Sequence, residues 1–315
     1  STPASPSPAV SPIAGAWTGY ALAAGGAALF STKAILVKLM YAAGATPEMA
    51  LALRVLIALP IFVAIGVMEL NKRRANGAAS PPIGLVVKTA GVGLIGYWLA
   101  SWLDFGGLVY VTAQFERLVL FTYPLFVMIL GWLFFGGRLT AVGLGGLAIS
   151  YLGLAIVFRQ GLEHSGDDVV TGGLYVLGAA LAFASYQVMA KPLIGKLGSG
   201  LFTCVAMVAA SLMILAHVGV DGGFNFAIVT PWLLFLGVLI AIFATVLPSF
   251  LMNAAIGRIG ATSNAMIGTL SPLATVVMAV MILGEPFGPV DALGTALVIL
   301  GIGAYTVLDA RAKAK

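Results

Sequence analysis

The sequence predicts an all-α integral membrane protein: ten transmembrane helices arranged as two inverted five-helix repeats around a central cavity. Three observations carry that expectation. Of the 315 residues, 61% are hydrophobic and only 9% charged, where a soluble domain carries about 25% charge. The apolar residues form long solid runs cut by polar, proline and glycine punctuation, unlike the ~10-residue alternating segments of a transmembrane barrel. Finally, the chain matches itself at one offset, 148 residues, which relates its two halves.

A helix crossing the ~30 Å hydrocarbon core needs about 20 apolar residues. Residues 1–14, STPASPSPAVSPIA, are Pro- and Ser-rich and uncharged. They read as a disordered tail, because a signal peptide needs a basic n-region. The first span, 15–41, ends at the turn AAGATP, and the second, 46–68, ends at ELNKRR. The third, 84–107, follows SPPIG; the fourth, 111–135, and the fifth, 140–158, are parted by GGRLT. After the polar linker 159–171 come spans 172–195 and 199–219, joined by KLGSG. The last three are 231–256, 261–284 and 288–308, separated by GRIGATS and GEPFG and followed by a basic tail, 309–315. The five-helix units are therefore 15–158 and 172–308.

With the N-terminus cytoplasmic, the inner loops and tail hold Lys72, Arg73, Arg74, Lys88, Arg138, Lys196, Arg258, Arg311, Lys313 and Lys315. The outer loops hold Arg159 beside Glu163, Asp167 and Asp168. This bias places both termini in the cytoplasm of a plasma membrane. The pI near 9.4 thus comes from loop cations, not from a nucleic-acid face.

At the 148-residue offset Pro124 falls on Pro272, Gly136 on Gly284, Gly146 on Gly294 and Gly153 on Gly301. The runs LTAVGLGGLAISYLGLAI and FGPVDALGTALVILGIGA stay in phase. Glycines seven residues apart share a helix face, so spans five and ten approach a neighbour closely. Five spans per half force the second half to enter from the opposite side. Inverted repeats are an architecture of secondary transporters, with the substrate site between the halves.

The ten-span plan, the segment Leu283-Gly284-Glu285 and the stretch LDFGGLVYVTAQFERLVLFTYPLFV at 103–127 resemble the EamA domains of the drug/metabolite transporter superfamily. With GYWLASWLDF before it, that stretch is similar to the YddG-type bacterial exporters of aromatic and other amino acids. The resemblance spans residues 16–308 and implies amino acid export across the inner membrane by alternating access. The halves diverge where Gly136-Gly137-Arg138 meets Gly284-Glu285-Pro286.

Ionisable residues inside spans cost about 2.5–3.5 kcal/mol at the helix centre, so they face a cavity or a partner. Lys33, Lys38, Arg54, Asp104, Glu116, Arg117 and Lys191 are such residues. Lys33 and Lys38 are five residues apart, roughly 140° around the helix, and must differ in role. Lys33 is expected to face the cavity or a carboxylate, and Lys38 and Lys191 to snorkel towards opposite interfaces. Asp104 is placed to meet Arg117 or Lys38, as an outer gate or as plain charge neutralisation. On span four, Gln114, Arg117, Phe121 and Pro124 share one face, with Glu116 and Tyr123 on its neighbour.

Span three divides into a stripe of Tyr97, Ser101 and Asp104 and a second of Trp98, Trp102 and Phe105. Such aromatic groups suit an amphiphilic ligand, so Tyr97, Trp98 and Ser101 are expected in the cavity with Gln114 and Phe121. The second half contributes Tyr186, Gln187, Asn253 and Asn264, which serve either the ligand or helix packing. Pro124, Pro248 and Pro272 are candidate bending points.

Cys204 is the single cysteine, and His164 and His217 form no HExxH spacing, so neither a disulfide framework nor a metal or cofactor site is expected. There is no GxxxxGK[ST] loop for ATP and no GxSxG elbow, which makes an intramembrane enzyme the remote alternative. Uptake or exchange of another metabolite, a nucleotide-linked compound or an organic cation, is the nearer one. The partners expected are a small-molecule substrate and membrane lipids, with no nucleic acid and a monomeric chain. Asp104 and Glu116 read as displaced outward from mid-span, leaving facilitated diffusion and proton antiport equally open.

Overall fold

The computed structural model of the chain describes residues 12–135, 141–165, 168–221, 229–268 and 271–313. Expectations placed on residues 1–11, Gly136, Gly137, Arg138, Asp167 and Lys315 lie outside the described residues. Every regular element among the described residues is helical. In chain order these are α1 (Pro12–Phe30), α2 (Lys33–Ala42), α3 (Pro47–Ala75), α4 (Ile83–Gly93), α5 (Ala100–Tyr110), α6 (Ala113–Leu120) and α7 (Tyr123–Phe135). The second half supplies α8 (Ala141–Ser165), α9 (Asp168–Leu197), α10 (Ser199–Asp221), α11 (Pro231–Ala241), α12 (Leu247–Ile267), α13 (Ser271–Met278) and α14 (Pro289–Lys313).

Seven helical stretches are long and apolar enough to cross a membrane: Trp17–Ala42, Pro47–Ala75, Ile83–Tyr110, Ala113–Phe134, Asp168–Leu197, Ser199–Val220 and Pro231–Ala265. Leu144–Arg159, Ser271–Leu283 and Pro289–Gly301 are shorter apolar helices. Apolar side chains such as Trp17, Met68, Leu133, Phe134 and Met281 face outwards, as helices solvated by lipid allow. Gly260, at φ 83° and ψ 166°, turns the chain between the expected spans 231–256 and 261–284, a conformation that glycine adopts without Cβ strain.

The first span, Trp17–Ala42, is present but interrupted at Ser31-Thr32. Ser31 Oγ donates to the Ala27 carbonyl at 2.8 Å and Thr32 Oγ1 to that of Leu29 at 2.7 Å. These local bonds compete with the helical ladder, so α1 stops and α2 restarts at Lys33. Thr122 does the same between α6 and α7, donating to the Val119 carbonyl at 2.8 Å. Pro124 sits in the first turn of α7 and Pro272 in that of α13, where a missing N–H is tolerated. Pro248 follows a π-helical turn at Ile242–Val246, and a matching π turn occupies Leu94–Leu99 at the equivalent place in the first half.

Helices α8 and α14 pack through the repeat glycines. A methyl group on Gly153 would lie 2.6 Å from the Gly294 carbonyl oxygen, and one on Gly301 2.5 Å from that of Gly146. Contacts that descend α14 as they ascend α8 make the pair antiparallel. Ser150, between the glycines, donates to the Val298 carbonyl at 3.3 Å. α3 and α10 run antiparallel too, with Gly66 against Cys204 and Arg73 donating to the Leu197 carbonyl at 2.9 Å.

Candidate functional site

The break before Lys33 sets the geometry of the molecule's polar centre. Because α2 starts at Lys33, its ammonium projects towards α5 and α6 and sits 2.6 Å from Asp104 Oδ2 and 3.7 Å from Glu116 Oε1. Arg117 Nε lies 3.8 Å from Glu116 Oε2, and its Nη2 donates to the Phe30 carbonyl that the helix break leaves free, at 3.0 Å. All four side chains are buried, as is Arg54 from α3. Neither carboxylate receives a hydrogen bond beyond these charge contacts, so mutual attraction must offset the desolvation of each ion. Phe30 lies beneath two of the cations, its ring centroid 4.7 Å from Lys33 Nζ and 5.3 Å from the Arg117 guanidinium.

A cavity of about 40 Å3 opens beside this cluster, lined by Lys33, Arg54, Asp104, Tyr97 and Ser101 with Phe30 and Phe183. A second space of about 20 Å3 adjoins it through the shared Phe30, Leu120 and Phe183, with Phe121, Tyr123 and Met252 as its apolar wall and Arg117 and Asn264 at its edge. Together they make an amphipathic centre with one charged pole and one aromatic pole. The expected stripe of Tyr97, Ser101 and Asp104 faces this centre.

Below it, four side chains lock the halves together. The Tyr97 and Tyr186 hydroxyls are 2.9 Å apart, and Tyr186 donates to Asn253 Oδ1 at 2.5 Å. Asn253 Nδ2 reaches the Tyr97 hydroxyl at 3.2 Å and Thr203 Oγ1 at 2.9 Å. Gln187 Oε1 accepts from Asn264 Nδ2 at 3.2 Å. Tyr186, Gln187 and Asn253 are fully enclosed by protein, so in this conformation they serve as helix-to-helix contacts.

Three placements, those of Trp98, Gln114 and Asp104, differ from expectation, whereas Lys38 and Lys191 stay peripheral. Trp98 turns away from the centre: with Trp102 it packs on His217, Nε1 standing 3.4 Å from His217 Nδ1, beside Glu48 and Leu51. It is one residue further round the helix than Tyr97, and α10 fills that side. Gln114 lies at the α5–α6 turn, donating to the Pro286 carbonyl at 3.2 Å. Asp104 meets Lys33 instead of Arg117 or Lys38, because the break in span one swings Lys33 inwards. Lys38 lines a wider recess of about 540 Å3 at the α5–α6 end with Tyr110, Phe115, Phe287 and Asp291. Lys191 is exposed on α9, close to the turn at Gly260.

Sequence reasoning missed Phe30, Phe183, Thr203 and the role of Glu285. The Glu285 carboxylate accepts from the Ala113 and Gln114 backbone N–H groups at 2.7 and 3.1 Å, while the Thr112 hydroxyl accepts from Phe115 N at 3.1 Å. The N-terminus of α6 is thus capped from both halves of the chain. Ser31 likewise bridges the halves, its Oγ 2.6 Å from Ser271 Oγ and its carbonyl accepting from Thr275 at 2.9 Å.

The family model of EamA-like transporters matches the chain twice, over residues 17–159 and 170–307. The chain belongs to the EamA-like transporter family. The protein is a multi-pass membrane transporter of the drug/metabolite type. It is 29% identical over 279 residues to a Bacillus subtilis protein named "Uncharacterized transporter YcbK", covering 85% of this chain and 86% of that one. It is 28% identical over 246 residues to a Streptantibioticus cattleyicolor protein named "Probable terminal-alkyne amino-acid exporter", covering 77% and 78%. A solved crystal structure 18% identical in sequence shares the fold, with a TM-score of 0.64 over 93% of this chain and 97% of its own.

Proposed function

We propose that this EamA protein exports amino acids, aromatic ones among them, across the bacterial inner membrane by alternating access between two inverted five-span repeats. The observation that carries the reading is the amphipathic centre, where buried charge from α2, α3, α5 and α6 adjoins an aromatic wall from both halves. An amino acid with a bulky side chain has that same division into a charged head and an apolar body. The name of the S. cattleyicolor relative points the same way. Seven long apolar helices, with three shorter ones beside them, support a ten-span reading. The antiparallel packing of the equivalent helices α8 and α14 favours the inverted arrangement, with both termini on the cation-rich cytoplasmic side.

Counterflow of labelled amino acids into proteoliposomes tests this. Flux of phenylalanine or another amino acid, competed by aromatic ones, is expected. Robust nucleotide or organic-cation flux without amino-acid flux would overturn the reading and leave the transporter family intact.

A further inference from the structure

The buried charges of the centre do not balance. Among the described residues the buried charged side chains are Lys33, Arg54, Asp104, Glu116 and Arg117, three cations against two carboxylates. Lys33 is paired with Asp104, and Arg117 approaches Glu116. No carboxylate among the described residues forms an ion pair with Arg54. Its charge rests over the Phe105 ring, 5.0 Å from the centroid, and its Nε has no hydrogen-bond partner. Protonation of either carboxylate would only enlarge the surplus. A guanidinium that is 5% exposed with no carboxylate at ion-pair distance is costly in a transmembrane bundle, yet its side chain lines the central cavity.

We infer that Arg54 is the anchor for the substrate's carboxylate, so that this transporter selects molecules by a single negative headgroup and rejects those whose head is only cationic. The inference rests on the amino-acid reading above and sharpens it. Arginine presents a planar fork that matches a carboxylate in two parallel hydrogen bonds. One such carboxylate supplies the anion that Arg54 lacks. A phosphate dianion would overshoot the single surplus charge, beside two carboxylates that repel it. An organic cation would add a fourth positive charge and bring no anion. A zwitterion leaves the net charge unchanged but pairs both of its ends, because Asp104 Oδ1 has no hydrogen-bond partner and Asp104 lines the same cavity as Ser101, Thr245 and Ser249. The apolar body then points past Phe30 and Phe183. The cavity's 40 Å3 holds a few water molecules, so the arrangement described is a closed one that must widen to load.

The test is a competition series on the full-length protein in proteoliposomes, read as inhibition of amino-acid counterflow. Wild-type flux of labelled phenylalanine, or of the best-transported amino acid of a panel, is challenged with the free acid, its amide and the amine lacking the carboxyl group. The acid is expected to compete at least tenfold better than the amide or the amine. Arg54→Gln should lower flux at least tenfold and reduce the acid-to-amide preference to within twofold, while Arg54→Lys keeps part of both; monodisperse elution of each variant checks folding. Equal competition by acid and amide in the wild type, or undiminished flux in Arg54→Gln, overturns the anchor while leaving amino-acid transport standing. A wild type that moves no amino acid overturns the parent reading, and the anchor falls with it.

Discussion

Glu285, in the C-terminal half, accepts the backbone N–H of Ala113, in the N-terminal half, at 2.7 Å. A carboxylate at a helix N-terminus satisfies donors that the helix cannot and complements its dipole. The helix it caps carries Glu116 and Arg117, so the polar centre is steadied from across the molecule.

Glu285→Ala is therefore expected to lower stability by about 1–2 kcal/mol, the usual cost of losing a cap, and Glu285→Gln by less. Unfolding in mixed micelles would measure both; equal stability of Glu285→Ala and wild type would mean that Thr112 alone holds the helix end.

Lys33 neutralises Asp104 and lies close to Glu116. Lys33→Met leaves two buried carboxylates facing each other and should cost about 3–5 kcal/mol. Adding Asp104→Asn to Lys33→Met should restore part of that loss. A double-mutant cycle on the same unfolding assay reads the coupling, and additive losses would rule out the pair as a stabilising unit.

Gly153 faces the Gly294 carbonyl, whereas Gly145, on the same helix, has open space where a Cβ would stand. Gly153→Ala is expected to destabilise the bundle by about 1–3 kcal/mol through overpacking, and Gly145→Ala to be neutral or slightly stabilising. Thermal melts of the two variants side by side distinguish packing from helix propensity.

Trp98 and Phe183 separate the two aromatic surfaces of the molecule. Trp98→Ala should keep more than half of wild-type flux, since its ring packs on His217 away from the centre. Phe183→Ala removes the wall shared by both central spaces and should reduce flux of aromatic substrates about tenfold. Proteoliposome counterflow of both variants decides; loss of flux in Trp98→Ala alone would relocate the site.

Much of this was legible in the amino acids. Charge scarcity identified the membrane, the single repeat offset located the glycine contacts of α8 and α14, and the rotation between Lys33 and Lys38 separated a buried cation from a peripheral one. What escaped depends on which helix stands next to which. The Ser31-Thr32 pair is an ordinary polar dipeptide in sequence, yet its bonds end α1 and aim Lys33 inwards. Trp98 and Tyr97 are adjacent on one span, and only the position of α10 sends their rings to different neighbours. Gln114 left the expected face because the α5–α6 turn is pinned by the loop after Glu285.

The crossed glycine contacts also speak to ancestry. Gly153 meets the counterpart of Gly146, and Gly146 meets the counterpart of Gly153, which is the signature of an isologous interface, where residue i of one copy touches j of the other and j touches i. A half-length chain bearing this helix would already possess both sides of the contact. Two identical half-length proteins could close on each other as a homodimer, and fusing their genes would then free each half to diverge, as the lone Glu285 cap and the first half's larger share of the buried charge have done.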